Sequence, residues 1–154
     1  MNITEGNTFE MTNVLSYRGK NTQQEISVVM NEIQELIKNN GAEKAGPAVS
    51  ATFAVTDNSI MDIEVMVPID RMITVPEKFK MKSHFRLTNA VKVRHEGSPA
   101  GLPNSCAELM KYISNSNLTP ITAAYNVTVK EALNQLDIGN MIVDIYVGVS
   151  DNIL

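Results

Sequence analysis

Two carboxylates stand inside a run of strand-forming aliphatic residues, "MDIEVMVPID" at positions 61–70. Side chains on a strand alternate between its two faces. One face is therefore predicted to carry the apolar row Ile63, Val65, Val67 and Ile69, and the other face Asp62, Glu64 and Met66. A carboxylate among apolar neighbours can bind a cation or act as a general base. Because Asp62 lies nearer the strand start, we expect it to be the more solvated of the two acids.

The same alternation returns in "MIVDIYVGVSD" at positions 141–151. Here the apolar row is Val143, Ile145, Val147 and Val149, and the opposite face carries Asp144, Tyr146 and Gly148. Asp144 then corresponds to Glu64, and Tyr146 to Met66. If both strands belong to one curved sheet, these four residues share a concave surface of the composition that small-molecule sites commonly have. The alternative is an antiparallel sheet with one face in water.

The elements needed to position these strands occur in the same order in each half of the chain. The first half reads as a strand at 11–18, a helix, and a hairpin of strands at 48–56 and 60–69. Thr22 and Glu25 have the spacing of a capping box at a helix start. Apolar residues then recur at helical spacing until "NNG" at 39–41, which favours a helix end.

The second half reads as a strand at 90–95, a helix with a capping box at Ser105 and Glu108, and strands at 121–129 and 141–150. We therefore predict a single α+β domain of internally duplicated strand-helix-strand-strand halves. The halves span 11–70 and 90–150, joined by a crossover at 71–89. Together they are expected to form a curved antiparallel sheet with one helix per half and a central cleft.

Composition narrows the class of protein. The chain has 154 residues, a formal net charge of -4 and one cysteine. A single cysteine excludes an internal disulfide, and the negative charge argues against direct nucleic-acid binding. We find neither a signal peptide nor an apolar segment long enough for a membrane helix, so we expect a cytoplasmic protein without membrane contact.

Basic residues are concentrated in one segment. Residues 71–96 contain seven Lys and Arg but only two Glu. A solvated connector and strand edge would explain this segment. The alternative interpretation is a docking face for an acidic protein partner.

Two aromatic residues occur at matching places in the first strand of each predicted hairpin, Phe53 and Tyr125. They could line the cleft or, because Val55 and Val127 share their faces, belong to the core. His84 and His95 lack partners at metal-ligand spacing, so we predict no metal site. Cys106 falls on the apolar face of the second helix, which is typical of a packed residue. No cofactor-binding motif is present.

Several segments resemble GyrI-like effector-binding domains, which also occur attached to AraC-type and MerR-type regulators. The segments that show the resemblance are "YRGKNTQQEI" and "RHEGSPAGLPN" before the helices, "AGPAVSATF" after the first helix, and the strand "DIEVMVPID". The resemblance spans about residues 11–150. It implies duplicated halves around a ligand cleft, in which Glu64 faces a small cationic or amphipathic molecule. About ten residues precede the first strand, so we expect a stand-alone domain without a helix-turn-helix.

The leading hypothesis is thus a ligand-binding domain with the site residues Glu64, Met66, Asp144, Tyr146, Phe53 and Tyr125 and no cofactor. One alternative is an interaction or adaptor module without a small-molecule ligand, acting through the sheet or the basic segment 71–96. Another is a small-molecule hydrolase using Glu64 and a tyrosine, although we assign no catalytic residue. A homodimer is compatible with each of these hypotheses.

Overall fold

Two α-helices and six β-strands make up the residues that the computed structural model of the chain describes, 2–131 and 135–151. The elements are β1 (Ile3–Asn21), α1 (Gln23–Asn39), β2 (Val49–Val55), β3 (Met61–Pro68), β4 (Phe79–Glu96), α2 (Leu102–Asn115), β5 (Leu118–Lys130) and β6 (Ile142–Asp151). Two short 3-10 helices occupy Pro99–Gly101 and Gln135–Asn140. The predicted α+β class is confirmed. No helix in the described ranges is long and apolar enough to cross a membrane.

The chain divides into two units. Glu10–Arg86, here called the Glu64 unit, is one. The other, here called the Asp144 unit, consists of the described residues up to Phe9 and from Leu87 onward. The strand order is β1-β3-β2 in the Glu64 unit and β4-β6-β5 in the Asp144 unit, with antiparallel pairing. Each unit therefore places its last hairpin strand, with the acidic residue, between the other two.

Helix α1 begins where the sequence predicts. The Thr22 amide donates to Glu25 Oε1 at 2.8 Å, and the Glu25 amide donates to Thr22 Oγ1 at 3.3 Å, which completes the capping box. The helix buries Val29 and Ile33 against β3 and its neighbours in the Glu64 unit. The buried core of this unit comprises Leu15, Tyr17, Val29, Ile33, Ala42, Ile63, Val65, Val67, Ile69 and Phe79.

Helix α2 begins earlier than predicted, so the second capping box is wrong. Its first residue is Leu102, its N-cap is Gly101, and no side chain caps it. Pro103, within the first turn, has no amide hydrogen that would need a partner there. Ser105 is consequently buried inside the helix. The core of the Asp144 unit comprises Val91, Val93, Leu109, Ile113, Val143, Ile145, Val147 and Val149.

Strands β1 and β4 are much longer than predicted. β4 starts at Phe79 instead of residue 90, so most of the predicted basic crossover is strand. Each long strand contains an asparagine with a positive φ, Asn13 at 53° and Asn89 at 51°. Asn tolerates this left-handed conformation better than most residues. Both lie in the sequence Thr-Asn-x4-Arg, at 12–18 and 88–94.

Candidate functional site

Strand β3 presents Glu64 and Met66 on the face opposite the core row, as the alternation predicts. In strand register Glu64 lies opposite Arg18 of β1 and Ala51 of β2, while Met66 lies opposite Ser16 and Val49. Met66 is fully buried and Glu64 is 9% exposed. This face of β3 is therefore largely shielded from water, which contradicts the simple wet-face alternative for Glu64.

Glu64 is paired with a lysine from β4. Lys82 Nζ donates to Glu64 Oε2 at 2.8 Å and lies 4.0 Å from Met66 Sδ. The Glu64 side chain is 12% exposed and the Lys82 side chain 34%. A buried carboxylate needs a compensating charge. The protein itself supplies that charge, so the need for a cation does not by itself require a cationic ligand.

Asp62, at the start of β3, has a different partner. Arg18 Nε and Nη2 donate to Asp62 Oδ1 and Oδ2 at 3.1 and 3.2 Å. These hydrogen bonds lower the pKa of Asp62 from its ordinary value. Arg18 also places its guanidinium 3.7 Å from the centre of the Phe53 ring. Asp62 is more exposed than Glu64, as predicted.

In the Asp144 unit, the acid of β6 is held by two basic residues of β4. Arg94 Nε and Nη2 donate to Asp144 Oδ1 and Oδ2 at 2.8 and 3.0 Å, and Lys92 Nζ lies 3.8 Å from Oδ2. The pair raises the pKa of Arg94 further above its ordinary value. Two parallel hydrogen bonds fix a carboxylate more firmly than one lysine contact does. Asp144 is thus occupied on both oxygens.

Aromatic residues cluster around Tyr146, two residues after Asp144 on β6. Tyr146 packs against Phe9 with ring centres 5.3 Å apart, and Lys92 Nζ lies 5.8 Å from the centre of the Tyr146 ring. Tyr125 lies directly opposite Tyr146 in register, so the two share a face. Burial, and then the charge of Asp144, raise the pKa of Tyr146 from its ordinary value. Asp144, Tyr146 and Tyr125 therefore lie on one face of the sheet in this unit, and their role in ligand binding stays a prediction.

The predicted match between Phe53 and Tyr125 does not follow the strand register. Tyr125 lies opposite Tyr146, the counterpart of Met66, and Met66 lies opposite Val49. Phe53 instead falls at an irregularity in the pairing between Thr52 and Ala54. It is 37% exposed and Val55 is 64% exposed, so neither belongs to the core. That the faces of the two units share one surface stays a prediction.

The basic segment 71–96 is largely neutralised by acids. Six of its seven Lys and Arg residues lie within 4 Å of a carboxylate. The pairs are Arg71 with Asp70, Lys78 with Glu32, Lys82 with Glu64, Arg86 with Glu10, and Lys92 and Arg94 with Asp144. The segment has an excess of positive charge in the sequence, but in the fold nearby carboxylates compensate most of that charge.

His95 joins β4 to α2. Its Nε2 lies 2.8 Å from the Ser98 carbonyl oxygen, which can only accept, so Nε2 carries the proton and Nδ1 accepts from Ser105 Oγ at 2.8 Å. A pocket of about 570 Å³ lies beside this pair.

No group of three potential metal ligands occurs among the described residues. Burial raises the pKa of Cys106.

Sequence reasoning did not identify the basic residues that pair with the acids of β3 and β6. Arg94 and Arg18 occupy the same position of the repeated Thr-Asn-x4-Arg sequence, and each lies opposite an acid in register. That repeat is a signal that could have identified both arginines. Lys82 has no counterpart in the repeat, and no local pattern marks it as the partner of Glu64.

Comparisons with known proteins show similarity of structure only. No protein-family model matches the chain, and no curated protein matches it. The EcmrR chain in the cryo-EM structure of the EcmrR–DNA complex in EcmrR-RPo has a similar fold, with a TM-score of 0.80. The similarity covers 97% of this chain, at 17% sequence identity. This chain spans 58% of that EcmrR chain. A hydrolase from Listeria innocua is 13% identical with a TM-score of 0.62, covering 97% of this chain and 91% of that one.

The fold is that of the GyrI-like effector-binding domains, which confirms the resemblance at the level of the fold. Within that class the crystal structure of the EcmrR C-terminal domain matches almost end to end, with a TM-score of 0.75 and 17% identity. The match covers 98% of this chain and 99% of that domain.

Proposed function

We propose that the chain is an effector-binding domain that takes a small amphipathic cation at the Glu64 face. One observation carries this proposal: a nearly buried carboxylate lies beside the fully buried Met66, on the strand face opposite the core. A few polar groups among apolar side chains are typical of small-molecule sites. The thioether of Met66 adapts to varied apolar groups.

The two acids have different roles in the proposal. Asp144 is held on both oxygens by Arg94, so it serves mainly to fix β6 to β4. Glu64 has a single lysine contact and is the acid available to a ligand. Met66 lies beside Glu64 as the apolar wall, whereas Tyr146 and Tyr125 belong to the aromatic face of the Asp144 unit.

The adaptor alternative receives less support from the charges. A docking face for an acidic partner needs cations that are not already compensated, and six of the seven in 71–96 have carboxylate neighbours. The hydrolase alternative needs a tyrosine near Glu64. Tyr17 is the one tyrosine of the Glu64 unit, and its ring lies in the core while its hydroxyl donates to Asn21. That geometry does not favour a Glu-Tyr pair within this unit.

Thermal-shift measurements with n-octylammonium test the proposed function. We expect the ligand to raise the melting temperature of the wild type, and Glu64→Gln to lose most of that rise. Asp144→Asn is the matched control, because it removes the corresponding buried acid of the other unit, which the proposed ligand does not contact. Equal responses of the wild type and Glu64→Gln would remove Glu64 from the site.

A further inference from the structure

We infer that Lys82 is an internal counter-ion that the ligand must displace, and that the Glu64 face therefore selects protonated amines bearing an N–H group. This inference rests on the proposed function, and it specifies how the same site recognises its ligand. It goes beyond the presence of a carboxylate, because it assigns the specificity to a lysine on another strand.

The geometry of the pair makes exchange feasible. Glu64 receives one hydrogen bond from Lys82, through Oε2. The lysine stem is flexible and its ammonium is a compact charge with three donors. With 34% of its side chain exposed, Lys82 can move its ammonium into water while its stem stays against the protein. Displacement therefore leaves no buried cation behind.

The corresponding acid of the Asp144 unit lacks this freedom. Arg94 engages both oxygens of Asp144, and Lys92 lies within 4 Å of the same carboxylate. Removing the guanidinium breaks two charge-assisted hydrogen bonds at once, and such bidentate pairs are the stronger ones. Exchange is thus confined to Glu64, although the two acids occupy corresponding positions in their strands.

The Lys82 ammonium occupies the position that the ammonium of the ligand would take. Its ammonium lies 2.8 Å from Glu64, 4.0 Å from Met66 Sδ and 6.0 Å from the centre of the Phe85 ring. A ligand ammonium that takes this place meets the same carboxylate, thioether and ring. It restores the lost hydrogen bond only if it has an N–H donor, which a quaternary ammonium lacks.

Lys82 competes with the ligand for Glu64. The apparent affinity is therefore the intrinsic affinity multiplied by the fraction of molecules in which Glu64 is accessible. A charge-assisted hydrogen bond is stronger than a neutral one, so that fraction is on the order of one tenth or less. Removing the lysine is thus expected to tighten amine binding about tenfold. By the same reasoning the wild type is expected to prefer n-octylammonium over n-octyltrimethylammonium about tenfold.

Isothermal titration calorimetry of the full chain with these two compounds tests the inference. Lys82→Met removes the counter-ion, and Lys82→Gln retains a neutral donor for Glu64 in case the methionine variant folds poorly. Lys80→Met is the matched control, since it removes an exposed lysine two residues away on the same strand. We expect tighter amine binding for both Lys82 variants and no change for Lys80→Met.

The outcomes separate the inference from the proposed function. If the wild type binds octylammonium in a Glu64-dependent manner but the Lys82 variants bind it equally or more weakly, the counter-ion inference is wrong and the function stands. Equal affinity for the quaternary compound would likewise overturn the N–H selectivity. If neither compound binds the wild type or the Lys82 variants, the proposed function fails, and the inference fails with it.

Discussion

Arg18 lies directly opposite Glu64 in strand register, yet its guanidinium bonds to Asp62. Its counterpart Arg94 bonds to the acid directly opposite, Asp144. The first arrangement leaves Glu64 to a flexible lysine, and the second locks Asp144. This difference between two corresponding arginines is the structural origin of the proposed asymmetry between the units.

The two arginines are expected to differ in their contribution to stability. Arg94→Met leaves a nearly buried carboxylate without its two main donors, which should cost about 2–3 kcal/mol of unfolding free energy. Arg18→Met breaks a more exposed pair, in which water screens the charges, and should cost less. Chemical denaturation of both variants measures the difference. Equal losses would contradict the structural role assigned to Asp144.

Asp62 provides a pH test. Because Arg18 hydrogen bonds lower its pKa in the folded protein, the pair stabilises the fold above the unfolded-state pKa. That stabilisation is lost as the pH falls through the lower, folded-state pKa. Carbon-13 NMR titration should show the pKa of Asp62 returning toward its ordinary value in Arg18→Met. An unchanged pKa in that variant would show that Arg18 does not hold the carboxylate in solution.

The left-handed asparagines of the long strands form another matched pair. Ala at either position should destabilise the protein by about 1–2 kcal/mol, because an L side chain with a Cβ disfavours positive φ. Gly relieves that strain. Asn89 also donates from its side chain to the Val149 carbonyl at 2.8 Å, so Asn89→Gly should still lose about 1 kcal/mol. Denaturation midpoints that do not distinguish Gly from Ala would contradict this account.

Tyr146 is expected to ionise above the ordinary tyrosine range. Burial and the charge of Asp144 both raise its pKa. Asp144→Asn should shift the titration of Tyr146 downward, since it removes the negative charge. Ultraviolet titration of the phenolate, with Tyr146→Phe to assign the signal, measures this shift. If Tyr146 titrates identically in the wild type and in Asp144→Asn, Asp144 does not act on the Tyr146 ring.

Much of the fold could be predicted from local patterns. Alternation over 61–70 and 141–151 correctly assigned the core rows and the opposite acid-bearing faces, because strand periodicity is a property of adjacent residues. The Thr22–Glu25 capping box was predicted for the same reason. The Ser105–Glu108 spacing predicts the wrong start for α2, because the helix already begins at Leu102 and Pro103 fits its first turn without a side-chain cap.

The partners of the acids could not be predicted from such patterns. Arg94 of β4 meets Asp144 through the pairing of β4 with β6, and the two residues are 50 positions apart in the sequence. Lys82, also on β4, meets Glu64 of β3 across 18 positions. Strand register and side-chain rotamers decide these contacts. The alternative interpretation of the basic segment as a docking face requires free cations, whereas acids compensate most of its charge in the fold.

The most direct test of the account is a carbon-13 NMR titration of the Glu64 side-chain carboxyl with n-octylammonium, with the Asp144 carboxyl as internal reference. We predict that the Glu64 resonance and the Lys82 ammonium nitrogen resonance shift together with one saturation curve, while the Asp144 resonance stays in place. Saturating ligand that leaves the Glu64 resonance unmoved would contradict the claim that this carboxylate binds the effector.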